Sequence, residues 1–376
     1  MRGPEKLLRE LIALPSVNPA CTGVDPERSG ERRVAEYLAA CAAKAGLDVT
    51  LTPVLPGRWN LLARLTPASR PSCQVMLAPH LDTINGSDDQ FVPRTRNGRV
   101  YGRGACDTKG SVAAMFSALC ELAGSGRRPA RTEVVFAGFI DEEDGQAGSR
   151  AFADEGSVRA DLAIVGEPTR NRVLTAHKGS LWLEILVHGR SAHGSQPEKG
   201  KNAIHAMAKV VQVLETAYRD ELRTRNHPLL GSPTSSVGEI CGGVQPNVVP
   251  DRCGIRVDRR TLPGETEAGV LREVRRFLQR RGLAAEVSSV RQAPCLPMET
   301  DPKLPLVQRL MRTARQAEPL GARYFCDAAI LSAAGIPSVI FGPGDIAQAH
   351  TADEWVAIRS LERATSILER FLRGLP

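Results

Sequence analysis

The sequence predicts an α/β fold, in which a mixed sheet is flanked by helices and a smaller α+β domain is inserted into the chain. Strand-like apolar runs alternate with helical patterns up to residue 178 and again from residue 293. Between these parts, residues 179–292 follow the order β-α-β-β-α-β of a ferredoxin-like unit. A chain of 376 residues is also long for one hydrophobic core. We therefore expect a main domain formed by residues 1–178 and 293–376, and an inserted domain over residues 179–292.

Helices of the main domain are indicated by apolar residues at helical spacing. In the second helix Val34, Leu38 and Cys41 share one face, and Gly46 is a stop signal. Strands are indicated by short apolar runs, such as the run that ends at Pro79, which lacks the N–H needed to continue a ladder. The expected helices cover 4–14, 29–46, 111–123, 303–316 and a stretch from about 359, and the expected strands cover 47–54, 59–65, 74–78, 133–140, 161–165 and 339–341.

The inserted domain shows a different pattern. Apolar and polar residues alternate from Leu181 to Val187, as in a strand with one buried face, and two long amphipathic stretches predict helices. The expected strands cover 181–187, 234–241, 247–258 and 285–290, and the expected helices cover 201–222 and 265–281.

Composition and charge set limits on the class of protein. Apolar residues make up 42% and charged residues 24% of the chain, which is ordinary for a globular protein. The formal charge of +7 and the sequence pI of about 9.1 raise the question of nucleic-acid binding. Arg and Lys are, however, spread along the helical patterns, and aromatic residues make up only 4%. No basic stripe with stacking aromatics results, so we expect no nucleic-acid partner.

The first twelve residues and the cysteines indicate the compartment. Residues 1–12 mix charged and apolar side chains in an amphipathic helical pattern, which is typical of neither a signal peptide nor a membrane span. The nine Cys include no C-x-x-C pair, which favours reduced thiols over a disulfide framework. We expect a cytoplasmic protein with no membrane partner.

Two metal-type side chains follow the predicted strand at 74–78. His80 and Asp82 are two residues apart, and side chains with this spacing point the same way in extended chain. His80 could then bind a metal ion through one ring nitrogen while Asp82 orients the imidazole. The H-x-D pattern alone is weak, since short motifs match often by accident.

Further metal-type ligands lie at the ends of other predicted strands. Together with His80 they form a set of two imidazoles and three carboxylates, which suits Zn²⁺, Co²⁺ or Mn²⁺. Two divalent ions carry four positive charges, which three carboxylates and one hydroxide would balance in a buried site. The candidate ligands are His80, Asp107, Glu143, Glu167 and His350.

Several spaced segments resemble one known family, the M20 di-metal aminoacylases and peptidases. This group contains acetylornithine deacetylase and succinyl-diaminopimelate desuccinylase. The similar segments occur in the family's order and on both sides of the inserted domain. They are Pro79-His80-Leu81-Asp82-Thr83, residues 102–110 with Asp107, Asp141-Glu142-Glu143, Gly166-Glu167-Pro168-Thr169, His177-Lys178-Gly179, Gly342-Pro343-Gly344 and Ala349-His350.

The resemblance implies two divalent metal ions, with Zn²⁺ as the first expectation and Co²⁺ or Mn²⁺ as alternatives. By this resemblance Asp107 bridges the ions. His80 and Glu167 complete one ion, and Glu143 and His350 complete the other.

The resemblance also implies the reaction and its catalytic residues. It predicts hydrolysis of the amide bond of an N-acyl amino acid through a metal-bridging hydroxide, as in acetylornithine deacetylase. Glu142 would be the general base, which takes a proton from the bridging water and hands it to the leaving nitrogen. Asp82 would hold the His80 side of the centre.

The inserted domain carries further similar positions and would serve as a lid and dimerisation domain. In the family, the residue matching His193 reaches the active site of the neighbouring subunit and stabilises the oxyanion, so a homodimer is expected. Asn247 and Arg260 match positions that bind the carboxylate of the substrate, although Arg259 is adjacent. Gly342 and Gly344 are assigned to substrate binding as well.

Other activities within the family stay open at this point. Dipeptidase or carboxypeptidase activity on short peptides is one alternative, and desuccinylase activity is another. The segment Phe325-Cys326-Asp327-Ala328 stands where desuccinylases carry a glycine- and serine-rich turn, which counts against that substrate.

Particular residues disfavour three functions outside this reaction. Gly342 to Ala347 match a dinucleotide fingerprint, but the sequence after it predicts only a helix, with no second strand and no ribose-binding acid. Cys106 could be read as a nucleophile, but the nearest His residues are assigned to metal. A catalytically dead binding protein on the same fold would lack a ligand or the base, whereas all of them are present here.

Overall fold

A computed structural model of the chain describes residues 3–126, 128–155, 159–290 and 295–376. The chain divides into two compact units. The first unit contains Met1–Thr175, Glu299–Leu320 and Cys326–Pro376, and the second contains Ala176–Met298 and Gly321–Phe325. The first division falls a few residues before the expected boundary at 178, and the expected boundary at 292 lies outside the described residues. The short segment Gly321–Phe325 was not expected to belong to the second unit.

The predicted helices are confirmed with small shifts at their ends, and two short helices, α4 at Ala147–Asp154 and α9 at Ala328–Ala333, were not predicted. The helices are, in chain order, α1 Pro4–Ile12, α2 Arg32–Lys44, α3 Lys109–Gly124, α4 Ala147–Asp154, α5 Ala203–Val213, α6 Arg219–Arg223, α7 Glu267–Gln279, α8 Pro305–Thr313, α9 Ala328–Ala333 and α10 Ile358–Arg373. A π-helical turn, Leu214–Tyr218, joins α5 to α6, so the two form one long helix as predicted. No helix within the described parts of the chain is long and apolar enough to cross a membrane.

The strands include several short ones that apolar patterns did not predict. The strands are, in chain order, β1 Asp48–Leu55, β2 Arg58–Leu65, β3 Cys73–Pro79, β4 Arg94–Arg96, β5 Arg99–Tyr101, β6 Thr132–Gly138, β7 Leu162–Gly166, β8 Leu174–His177, β9 Gly179–His188, β10 Thr234–Gly242, β11 Arg252–Thr261, β12 Glu286–Ser289, β13 Met298–Glu299, β14 Leu320–Ala322, β15 Ser338–Ile340 and β16 Trp355–Ala357.

The main sheet of the first unit runs in the order β1-β2-β6-β3-β7-β15. Strands β6, β3, β7 and β15 are parallel, and β1 and β2 form an antiparallel edge. The carboxyl ends of neighbouring parallel strands meet at one edge of a sheet. The residues that follow β3, β6 and β7 are therefore brought together, and the predicted mixed α/β sheet is confirmed.

The core of the first unit lies between this sheet and helices α1, α3 and α10. Helix α3 is buried along most of its length, which explains why its apolar residues form a continuous run rather than a stripe. It begins two residues after Asp107, so the loop that carries this candidate ligand leads directly into the best-buried helix.

The second unit contains an antiparallel sheet in the order β10-β11-β9-β12. Its core packs α5, α6 and α7 against the face formed by residues such as Ile185 and Val257. The predicted order β-α-β-β-α-β is confirmed.

The strand predicted over 247–258 is wrong at its beginning, because β11 starts only at Arg252. The carbonyl of Pro250 accepts the N–H of Ala203 at 2.8 Å, and the N–H of Val249 donates to Ala192 at 2.9 Å. These bonds tie the segment to other loops instead of the strand ladder.

Candidate metal centre

His80 follows β3 and has different partners on its two ring nitrogens. Its Nδ1 lies 3.0 Å from the carbonyl oxygen of Asp82 and 3.4 Å from Asp82 Oδ1. Its Nε2 lies 3.1 Å from Asp107 Oδ1. Because the carbonyl oxygen can only accept, Nδ1 carries the proton of a neutral ring, and the lone pair of Nε2 faces the carboxylates. This orientation is the one that a metal ligand requires.

Asp82 connects the end of β3 to the acidic turn after β6. Its Oδ1 accepts the N–H of Glu142 at 3.1 Å, and its Oδ2 accepts the N–H of Glu143 at 3.0 Å. The side chain is fully buried, which favours the neutral form, but the bond to His80 and the other donors hold its pKa below the usual value. Asp82 thus positions the backbone of both glutamates as well as the imidazole.

Asp107 lies between two imidazoles that are distant in the sequence. Its Oδ1 is 3.1 Å from His80 Nε2, and its Oδ2 is 3.3 Å from His350 Nε2. Burial opposes ionisation, but the bonds to His350 and His80 hold the pKa of Asp107 well below its usual value. One oxygen facing each imidazole is the arrangement expected of a carboxylate shared by two cations.

Glu143 and Glu167 complete the two sides of this arrangement. Glu143 Oε2 lies 3.1 Å from His350 Nε2, and Glu167 Oε1 lies 3.9 Å from His80 Nε2. Burial, and then the charge of Asp107, raise the pKa of both glutamates. The centre is therefore rich in negative charge when only its own residues are considered.

His350 is the most accessible of the candidate ligands. Its side chain is 51% exposed, and its backbone has a φ of +62°, which is uncommon for a residue with a side chain. The carboxylates of Asp107 and Glu143 raise the pKa of His350 to about 10. The centre is thus open on the His350 side, where a substrate could enter.

Glu142 is partly exposed and lies beside the His80 side of the centre. One ligand-type atom from each of His80, Glu142 and Glu167 lies within 4.8 Å of the other two, and the same holds for His80, Asp107 and Glu143. Burial of the carboxyl group, and then the charge of Glu167, raise the pKa of Glu142 well above its usual value. The position of Glu142 suits either a general base or a metal ligand. A variant without this side chain would keep its metal if Glu142 is a base and lose metal if it is a ligand.

The five candidate ligands fit divalent cations on chemical grounds. Two imidazole nitrogens and three carboxylates converge, and His80 is oriented by a bond to its other ring nitrogen. This mixed nitrogen and oxygen donor set suits Zn²⁺, Co²⁺ and Mn²⁺. Two divalent cations would also offset the excess of buried negative charge.

The other predicted site residues, His193, Asn247 and Arg260, belong to the second unit. His193 is exposed, with Nδ1 2.7 Å from Ser195 Oγ. The N–H of Gly194 donates to the carbonyl of Asn247 at 2.7 Å, so His193 and Asn247 lie on adjoining segments.

The two adjacent arginines of β11 lie on opposite faces of their strand. Arg259 is fully buried and bonds to Glu265 at 2.6 Å. Arg260 is partly exposed and pairs with Asp258 at 2.9 Å. Arg260 is therefore the accessible guanidinium of the pair, as alternation along a strand requires.

Gly342 and Gly344, which are predicted to bind substrate, have backbone groups that bond within the chain. Gly342 is buried, and its N–H and carbonyl both bond to Thr169. A Cβ at Gly342 would lie 2.5 Å from the carbonyl oxygen of Glu167. Gly344 has a φ of +87° and donates to Ser360 Oγ at 3.3 Å. Gly342 thus allows the loop to pack against the Glu167 segment, and Gly344 bonds to α10. The role of both glycines in substrate binding stays a prediction.

Sequence reasoning missed a set of buried residues that supports the acidic turn. Asn18 donates to Asp82 Oδ2 at 2.8 Å and to Asp141 Oδ1 at 3.1 Å. Arg58 bonds to Asp141 at 2.9 Å and also pairs with Glu31. Asp141 has a φ of +70°, so these bonds hold a strained backbone just before Glu142. The only sequence signal was the segment Ser16-Val17-Asn18-Pro19, which indicated a turn.

The candidate metal centre lies at the carboxyl edge of an α/β sheet, a position typical of catalytic sites in this class of fold. The family model for peptidase family M20/M25/M40 matches residues 76–374. The chain is 31% identical to an acetylornithine deacetylase of Proteus mirabilis (strain HI4320), over 98% of this chain and 96% of the relative. The chain therefore belongs to peptidase family M20/M25/M40 and is an enzyme.

Solved structures share the fold over nearly the whole chain. Aminopeptidase PepT from Bacillus cereus ATCC 10987 is similar with a TM-score of 0.78 and 19% identity, covering 98% of this chain and 97% of that one. The Bacillus subtilis YXEP protein, a dinuclear metal-binding peptidase from the M20 family, is similar with a TM-score of 0.72 and 14% identity, covering 98% and 96%. At these identities the similarity shows the fold.

Proposed function

We propose that this enzyme hydrolyses the amide bond of an N-acyl amino acid, as an acetylornithine deacetylase does. The observation that carries the proposal is the position of Asp107 between His80 and His350, with Glu142 beside the His80 side. The 31% identity to an acetylornithine deacetylase over 98% of the chain supports this choice of substrate class.

In the proposed reaction each residue of the site has a separate role. When bound, two divalent cations would polarise the amide carbonyl and lower the pKa of a water. Glu142 takes a proton from the attacking water and passes it to the leaving nitrogen. Arg260 and Asn247 bind the carboxylate of the substrate, for which the paired donors of a guanidinium are well shaped. His193 donates to the oxygen that becomes negative in the tetrahedral intermediate.

A second candidate function is cleavage of short peptides by a dipeptidase or carboxypeptidase activity. It is favoured by the fold similarity to an M20 family metallo-carboxypeptidase from Sulfolobus solfataricus, with a TM-score of 0.77 and 20% identity over 99% of each chain. Desuccinylase activity is disfavoured, because Asp327 replaces the glycine- and serine-rich turn and is buried against Ser149 Oγ at 2.6 Å.

A substrate panel tests the proposed function. The zinc-loaded enzyme is assayed with N-acetyl amino acids, N-succinyl-diaminopimelate and dipeptides, and kcat/KM is compared. We expect the highest kcat/KM for an N-acetyl amino acid, because the relative with 31% identity acts on acetylornithine. Preference for dipeptides would favour the second candidate, and preference for N-succinyl-diaminopimelate would contradict both.

The proposed role of His193 predicts a homodimer with shared active sites. Replacing His193 with alanine should leave metal binding unchanged and slow turnover by about 10²-fold or more, because an oxyanion donor is lost. Mixing this variant with Glu142→Ala subunits should restore part of the activity, since a hybrid dimer contains one site with both groups intact. The measurement is kcat of the mixture after subunit exchange.

Ser195→Ala is the matched control, because Ser195 contacts Nδ1 of His193 but is not assigned to the reaction. We expect it to retain most of the activity. A monomer by light scattering, or hybrid dimers that stay inactive after proven exchange, would contradict the role of His193 across subunits.

A further inference from the structure

Glu354 is a buried acid that neither the sequence patterns nor the proposed reaction assigns. Its side chain is 1% exposed. Its Oε1 accepts the backbone N–H groups of Cys106 at 2.8 Å and Asp107 at 2.9 Å. Its Oε2 accepts the N–H of Gly104 at 3.0 Å and Nη1 of Arg103 at 2.7 Å. The donors of one short loop, the loop that carries Asp107, thus converge on a single carboxylate.

The segment around Glu354 is also the segment that carries His350. The backbone carbonyl of Glu354 accepts the N–H of Gly102 at 3.0 Å, and β16 pairs with β5 immediately afterwards. Gln90 adds a second connection. Its side-chain Nε2 donates to the backbone carbonyl of Thr351 at 3.1 Å, and its backbone carbonyl accepts the N–H of Arg103 at 2.7 Å. The loops of His350 and Asp107 are therefore joined by several bonds, with Glu354 at the centre.

We propose that Glu354 is a positioning residue for both metal ions, because it fixes the backbone of Asp107 so that one carboxylate oxygen faces His80 and the other faces His350. The distances of 3.1 Å and 3.3 Å from these oxygens to the two imidazoles depend on that orientation. This inference rests on the proposed two-metal centre. It predicts an effect on both ions at once, whereas loss of His80 or His350 removes a ligand of one ion.

The test compares zinc affinity in wild type, Glu354→Gln and Glu354→Asp. Glu354→Gln keeps the volume and one acceptor oxygen but removes the charge that pairs with Arg103. Residues that orient metal ligands typically contribute about 10- to 100-fold in metal affinity. We expect both zinc dissociation constants of Glu354→Gln, measured by competition with a coloured chelator, to rise by about that factor. Glu354→Asp should recover part of the affinity, because the charge is restored.

The exposed Glu362 on α10 provides the matched control, and Glu362→Gln should bind zinc as wild type does. Metal-free Glu354→Gln should unfold cooperatively, which shows that the variant is folded. A purely structural role of Glu354 would lower the melting temperature without changing the zinc affinity. Wild-type affinity in a folded Glu354→Gln, weakening of only one ion, or failure of this variant to fold would overturn the inference. A wild-type chain that binds no zinc would instead overturn the proposed two-metal function.

Discussion

Replacing Glu142 with alanine is expected to lower kcat by a factor of about 10² to 10⁴ while the metal content stays unchanged. The carboxylate of Glu142 lies beside His80 and Glu167, and its backbone N–H is held by Asp82 at 3.1 Å. Removal of the side chain leaves that backbone bond and the five proposed ligands in place. Elemental analysis of the variant and its kcat on the best substrate of the panel are the measurements.

Asp144→Ala is the matched control for this variant. Asp144 is exposed and lies in the same acidic turn, so its removal changes the local charge by the same amount. We expect it to keep activity near that of wild type. If Glu142→Ala loses metal and keeps its chemistry, Glu142 is a ligand and the roles of Glu142 and Glu143 are exchanged.

Much of the candidate centre could be predicted because its residues follow strands. Short apolar runs identify β3, β6 and β7, and parallel strands bring their carboxyl ends to one edge. His80, Glu143 and Glu167 therefore meet for a reason that is visible in the sequence. Asp107 and His350 are predicted to lie at strand ends as well, but neither directly follows a strand, and this part of the prediction is wrong.

The supporting residues could not be predicted, because their partners are distant in the sequence. Asn18 and Asp82 are separated by 64 residues, and Glu354 and Asp107 by 247. Asn18 and Glu354 are polar residues in segments whose sequence predicts a turn or an exposed surface. No local pattern shows that their side chains are buried. The bonds that join them form only after the strands and loops have assembled.

The structure also shows contacts that the family resemblance did not predict for residues it placed in the site. Gly342 and Gly344 match family positions, and their N–H groups donate to the hydroxyls of Thr169 and Ser360. A Cβ at either position would clash with neighbouring atoms, so the loop packs closely only because these residues are glycines. Asp82 was expected to hold the His80 side, and it also accepts the backbone N–H groups of Glu142 and Glu143. In both cases these contacts involve residues outside the motif, so the motif alone does not predict them.

Metal removal should have the largest effect of any change considered. Without cations the centre consists of buried carboxylates and imidazoles that bond to one another, as His350 does to Glu143 at 3.1 Å. These contacts leave no electrophile to polarise an amide carbonyl and nothing to lower the pKa of the attacking water. We therefore expect exhaustive chelation to abolish activity and Zn²⁺ or Co²⁺ to restore it.

Titration of the chelated enzyme with Zn²⁺, followed by both bound metal and activity, tests the two-metal claim most directly. We expect activity to rise with binding and to reach its maximum at two ions per chain, as the donor set of two imidazoles and three carboxylates suggests. His80→Ala and His350→Ala should each bind one ion fewer and stay inactive. An enzyme that remains fully active after chelation, with no metal found by elemental analysis, would contradict the account.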